Sequence, residues 1–174
     1  MKRDIALWSW IGFAFTSLAG TLLHFLYEWS GGKAWVALFS GVNESTWEHM
    51  KLLYFPLLVF GIVQWFFFRE NSRFWLIKWM GTSVGLTLIP VLYYTYNGVF
   101  GKSPDWVNIS IFFVSAAVAF CLENRLFQKE KAAEFSGFYP FLWIVLIGVL
   151  FVIFTFFPPH IPLFQDPITG RYGR

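Results

Sequence analysis

The sequence predicts an all-α polytopic integral membrane protein with five transmembrane helices, and three observations carry that reading. Of its 174 residues, 57% are hydrophobic and only 13% are Asp, Glu, Lys or Arg, about half the charged fraction of a soluble domain. Aromatic residues reach 23%, which leaves too little polar surface to face water on every side; a soluble chain of this make-up would expose large adhesive patches. Apolar runs long enough to cross a bilayer, roughly 20 residues, recur along the chain between polar breaks. The length suits a single helical domain, residues 1–174.

The spans are placed at about 5–27, 49–68, 74–96, 106–127 and 138–157. Ser30-Gly31-Gly32 follows the first, and Arg69-Glu70-Asn71-Ser72-Arg73 separates the second from the third. Asn97-Gly98 through Ser103-Pro104 ends the third, and a charged segment from Gln128 to Glu134 precedes the fifth. Pro158-Pro159 stops the fifth, because proline cannot continue a helix interior. Lys2-Arg3 and Ala19-Gly20 give the first span some features of a signal peptide, but its apolar run continues to Tyr27. That is too long for a signal core, so a retained helix is expected. Between the first two spans, Trp35, Val36, Leu38 and Phe39 predict a short helix lying in the interface.

Positive charge sets the orientation. With the N-terminus inside, the inner side holds Lys2, Arg3, Arg69, Arg73, Lys78, Arg125, Lys129 and Lys131. The outer side holds Lys33, Lys51, Lys102, Arg171 and Arg174. The bias predicts N-in, C-out. The single cysteine, Cys121, excludes an intramolecular disulfide framework, and no basic run points to nucleic acid.

The polar residues gather at one face. His24 lies near the outer end of the first span, His49 at the outer start of the second, and His160 just beyond the fifth. Glu28 is four residues after His24 and shares its helix face. Glu44 and Glu48 flank the start of the second span, Asp105 opens the fourth, and Asp166 follows His160. Three imidazoles with nearby carboxylates make a zinc environment, and a fourth position left to water would make it catalytic. Ser17, Thr21, His24 and Glu28 form a polar stripe that is expected to face the bundle. Ser83, Thr87, Tyr94 and Asn97 predict a second such stripe on the third span. An outward-opening polar cavity explains both.

Simpler roles exist for several of these residues. Ser45 followed by Glu48 has the spacing of a capping box. His24 and Glu28 could be a hydrogen-bonded pair, and the interfacial Glu44 and Glu48 could simply be solvated. His24 lies within a span, where an ionisable group is costly and functional by default.

Val42-Asn43-Glu44-Ser45-Thr46-Trp47-Glu48-His49-Met50-Lys51 and the segment from Pro158-Pro159-His160 to Gly173 together resemble an uncharacterised family of small bacterial multi-pass membrane proteins. The resemblance implies residence in a bacterial cytoplasmic membrane and carries no activity. A looser similarity is to membrane hydrolases of the alkaline ceramidase and haemolysin III type, which use a Ser-x-x-x-His pair, an Asp and two further histidines around zinc. Ser45 and His49 match the pair. The chain departs from those enzymes in having five spans for seven and no His-x-x-x-His in its last span, so that His24 and His160 would have to replace that pair.

Three classes of function are consistent with these residues. In the first, His24, His49 and His160 hold Zn²⁺ in a hydrolase acting on a lipid-like substrate at the outer face. Glu28, Ser45, Glu48 and Asp166 are then its candidate catalytic or supporting groups. In the second, the same cavity binds or carries a small ligand, a metal ion or haem; in the third, the outer motifs of a structural subunit dock a partner protein. Transport has less support, since Glu123 is the main ionisable candidate in the inner half.

Overall fold

The computed structural model describes residues 2–129 and 138–174. The five expected spans are present as helices α1 (Lys2–Trp29), α3 (Thr46–Phe68), α4 (Phe74–Phe100), α5 (Asp105–Gln128) and α6 (Tyr139–Phe156). Each is long and apolar enough to cross a membrane. Between α1 and α3 the expected interfacial helix is a single turn, α2 (Ala34–Ala37). Its Val36 and Ala37 are buried while Trp35 stays exposed, so the turn packs inward on one side and leaves the tryptophan on the surface. A short 3-10 turn, Pro162–Phe164, follows α6. Most of the charged segment before α6, including Lys131, lies outside the described residues.

Local sequence accounts for the helix ends. Ser45 caps α3, Pro140 occupies the first turn of α6, where its missing N–H is no loss, and Gly101 at φ +84° ends α4. Helix α3 sits centrally, against α1 on one side and α4 and α6 on the other, and α5 lies against α1 and α4. Leu53, Tyr54, Leu57 and Phe60 of α3 meet Leu86 and Ile89 of α4, Ala116 and Phe120 of α5, and Phe151 of α6 in the main core. Outward-facing residues such as Leu18, Leu22, Phe66, Phe67 and Trp143 are exposed. They form the lipid-facing surface expected when the bilayer replaces water as solvent.

Close helix approach depends on small residues. A Cβ on Gly20 would stand 2.4 Å from Phe112 and 3.0 Å from the Leu52 carbonyl, and one on Gly81 would stand 2.5 Å from Glu123 Cγ. Gly81 and Gly85 share a face of α4 and meet Glu123, Ala119 and Ser115 of α5. This contact fixes the rotation of α4 and corrects one expectation. Thr87 and Tyr94 are exposed, and Thr82 and Tyr93 are the polar groups turned towards the bundle.

Two lysines counted above towards the two membrane sides are also reassigned. Lys51 and Lys78 are both buried within the bundle. One charge leaves each side of the count, so the excess of Lys and Arg at the end carrying the N-terminus remains. That end also holds the 69–73 turn and the end of α5, where Arg73 donates to the Lys129 carbonyl at 2.7 Å. The opposite end gathers the α1–α3 connection, the start of α5 and the C-terminal segment, and it contains the candidate site.

Candidate functional site

The site begins with the cap of α3. Asn43 Oδ1 accepts from Ser45 N at 2.9 Å, and Ser45 Oγ accepts from Glu48 N at 3.3 Å. The capping box is therefore half formed. Its return arm is missing because the Glu48 carboxylate turns inward and accepts instead from Val42 N at 3.1 Å. There it meets Lys51 at 2.5 Å and the Thr155 hydroxyl of α6 at 3.0 Å. Lys51 also donates to the Ala37 carbonyl at 2.9 Å and to Thr155 Oγ at 2.8 Å. One buried network thus ties the α1–α3 connection, α3 and α6 together.

His49 follows Glu48 and leaves the helix on the cavity side. Its Nδ1 lies 2.9 Å from the Ser45 carbonyl, so the ring donates there and keeps Nε2 free as an acceptor or ligand. Backbone orientation of one ring nitrogen is how ligating histidines are commonly held. Ser40 performs a matching task on α1. Fully buried, it accepts from Tyr27 N at 3.0 Å and donates to the Leu23 carbonyl, which draws the connection against the helix at the level of His24. Glu44 is thereby brought between the two histidines. Its Oε1 is 3.6 Å from His24 Nε2 and its Oε2 is 3.5 Å from His49 Nε2. The two imidazole centroids are 5.7 Å apart. One donor atom from each of His24, Glu44 and His49 lies within 4.8 Å of the others.

The cluster opens onto a cavity of about 480 Å³ between α1, α5 and the start of α3. Phe25, Leu52, Ile109, Phe112 and Phe113 give it apolar walls, and Thr21, Asp105 and Asn108 add polar groups. On the other side of Glu44 and His49 a second space of about 40 Å³ is lined by Thr46, Tyr93 and Asn108, large enough for a water molecule.

The other sequence-selected residues lie elsewhere. His160 packs its ring on Tyr172, with centroids 4.7 Å apart, and is not in the cluster. Glu28 is exposed, and its carboxylate has no partner among the described residues. Ser45 is 1% exposed and serves as the helix cap. Asp166 is buried and organises a turn, accepting from Ile168 N at 2.8 Å and Thr169 Oγ at 2.7 Å. That turn presents Ile168 at the mouth of the larger cavity.

The two sequence motifs are one structural unit. Asn43 Nδ2 donates to the Gly173 carbonyl at 2.9 Å, and Trp47 packs on Phe151, Phe154 and Phe164. Arg174 reaches the Tyr27 hydroxyl at 2.9 Å and the Gly32 carbonyl at 3.0 Å. Residues 158–174 therefore brace the connection that carries Glu44. Residues 1–174 match the model of a family of unknown function, DUF6512. The chain belongs to this family. For this DUF6512 protein, no curated protein and no solved structure gives a significant match.

Sequence reasoning missed Glu44 as a donor and gave no role to Asn108. Glu44 sits in the irregular turn before the α3 cap, where no periodicity says which way a side chain points. The signal for it was the costly pair His24 and His49, which needed a third group within reach.

Proposed function

We propose that this membrane protein binds a divalent transition metal, zinc by ligand type, through His24, His49 and Glu44, and uses it to hydrolyse a lipid-like ester or amide. One observation carries the reading. The His–Glu separations of 3.5 and 3.6 Å are longer than charge-assisted hydrogen bonds, which run about 2.7–2.9 Å. With one carboxylate oxygen facing each imidazole and one donor from each residue within 4.8 Å of the others, the three groups are gathered closely enough to close around an ion with ligand distances of about 2.0–2.2 Å. Two imidazoles and a carboxylate leave one position to solvent or substrate, as catalytic zinc sites do. Here that position borders the 480 Å³ cavity, whose apolar walls suit an acyl chain and whose cluster end suits a polar carbonyl. Hydrolysis there takes one water: its oxygen bonds to the carbonyl carbon and the C–O or C–N bond breaks. One of its protons passes to the leaving group.

The proposed setting is a bacterial cytoplasmic membrane with the N-terminus inside, so that the cavity opens in the outer leaflet. The Lys and Arg excess at the N-terminal end of the bundle supports that orientation. Non-catalytic metal binding is the second reading, since the same three donors support it. Haem is disfavoured, because the Glu44 carboxylate lies between the two imidazoles, where the iron of a bis-histidine haem would sit.

The full-length protein, purified in detergent after growth with zinc, is expected to carry about one zinc per chain. A His24→Ala/His49→Ala double variant is expected to carry none. No stoichiometric zinc in the wild type, or full retention in the double variant, overturns the metal reading. Release of fatty acid from lipid esters or amides by the zinc-loaded protein alone separates catalysis from storage.

A further inference from the structure

Asn108 stands one helical turn into α5 and lines both cavities beside Glu44 and His49. Its amide is held by a chain of hydrogen bonds that starts at the end of α4. Asn97 Nδ2 donates to the Tyr93 carbonyl at 2.7 Å and to Ser103 Oγ at 3.3 Å, and Asn97 Oδ1 accepts from Ser103 N at 2.9 Å. Ser103, itself buried, spends its hydroxyl proton on Asn108 Oδ1 at 2.8 Å. The oxygen end of the Asn108 amide is thus occupied by a donor that faces away from the cluster. Its nitrogen end, with two N–H groups, has no partner among the described residues. An amide fixed through its oxygen, with its donors left free in the wall shared by two cavities, is preorganised to receive an acceptor.

We infer that Asn108 donates to the anionic oxygen of a ligand bound at the His24–Glu44–His49 metal site, with Ser103 as its positioning residue. The inference rests on the metal reading above and adds the ligand class: a carboxylate, a hydroxamate or the oxyanion of a hydrated ester or amide. The carboxylate of Glu44 raises the value of such a donor, because a second negative oxygen placed beside it needs compensation. Tyr93 borders the same 40 Å³ space, but only its backbone carbonyl takes part in this chain of bonds.

The test uses zinc-loaded full-length protein and octanohydroxamate, whose deprotonated head chelates zinc and whose tail suits the apolar walls. Asn108→Ala is expected to bind it about tenfold to a hundredfold more weakly, the size of one hydrogen bond to a charged group, with zinc stoichiometry unchanged. Asn108→Asp, nearly isosteric, is expected to lose at least as much by placing a negative charge at the same point. Ser103→Ala is expected to fall between wild type and Asn108→Ala, because the donor remains but is no longer held. Thermal unfolding midpoints near the wild-type value confirm that each variant is folded. Wild-type hydroxamate affinity in both Asn108 variants, with zinc retained, overturns this inference alone. A wild-type protein that binds no zinc overturns the metal reading and this inference together.

Discussion

Lys51 and Lys78 are each held by a carboxylate inside the bundle, at 2.5 Å from Glu48 and 2.6 Å from Glu123. Near the cavity, the Glu48–Lys51 pair is fully engaged: Val42 N, Thr155 and the Ala37 carbonyl supply further partners from three parts of the chain. In the other half, Lys78 reaches Gln64 Oε1 at 3.3 Å and lies near the Phe60 and Phe120 rings. Glu123 Oε1 there is buried without a partner among the described residues. A buried pair is stabilising only when the desolvation of both charges is met by good geometry and additional hydrogen bonds. By that measure the cavity-side pair is a fastening and the other is a tolerated cost. What the first fastens is the connection that carries Glu44.

The largest effect is expected from breaking the fastening. Glu48→Ala leaves the buried Lys51 ammonium without its counter-charge, and is expected to destabilise the protein by about 3–5 kcal/mol in equilibrium unfolding from mixed micelles. Zinc should be lost with it, because the α1–α3 connection loses its anchor. The paired replacement Lys78→Met/Glu123→Leu removes both charges from the other half. It is expected to be neutral or stabilising, within about 1–4 kcal/mol, and to leave zinc content unchanged. A strong loss of metal in that variant would show the two halves to be coupled. The smallest effect is expected for Ser45→Ala, about 1 kcal/mol for a lost helix cap. Retained hydrolysis in this variant would separate Ser45 from a nucleophilic role, whereas complete loss with zinc still bound would restore it.

The sequence reached the spans to within four residues at each end, because runs of apolar residues ended by Gly, Pro and charge are a one-dimensional signal; the largest miss is α4, which runs through Asn97-Gly98 to Phe100. The predicted 49–68 and the observed Thr46–Phe68 differ only by the polar first turn that Ser45 caps. His24 and His49 were legible for a related reason: their depth in the spans gives their membrane face without any knowledge of packing. Rotation was harder. Thr87 and Tyr94 were assigned inward on helical spacing, but the small face at Gly81 and Gly85 turns α4 so that both are exposed. Lys51 and Lys78 looked like interfacial charges, and only tertiary partners from α5, α6 and the α1–α3 connection explain their burial. Glu44 and His160 both lie in irregular backbone. Which of them approaches the two span histidines depends on Ser40, Asn43 and Arg174, contacts that join residues up to 147 positions apart.

That choice between Glu44 and His160 is the centre of the account, and zinc content decides it. Wild-type, Glu44→Ala and His160→Ala proteins, purified in parallel and dialysed against the same trace of zinc, are to be analysed for bound metal per chain. The expected result is zinc in the wild type and in His160→Ala, with loss in Glu44→Ala. Zinc retained in Glu44→Ala and lost in His160→Ala would contradict the account and return the site to three histidines.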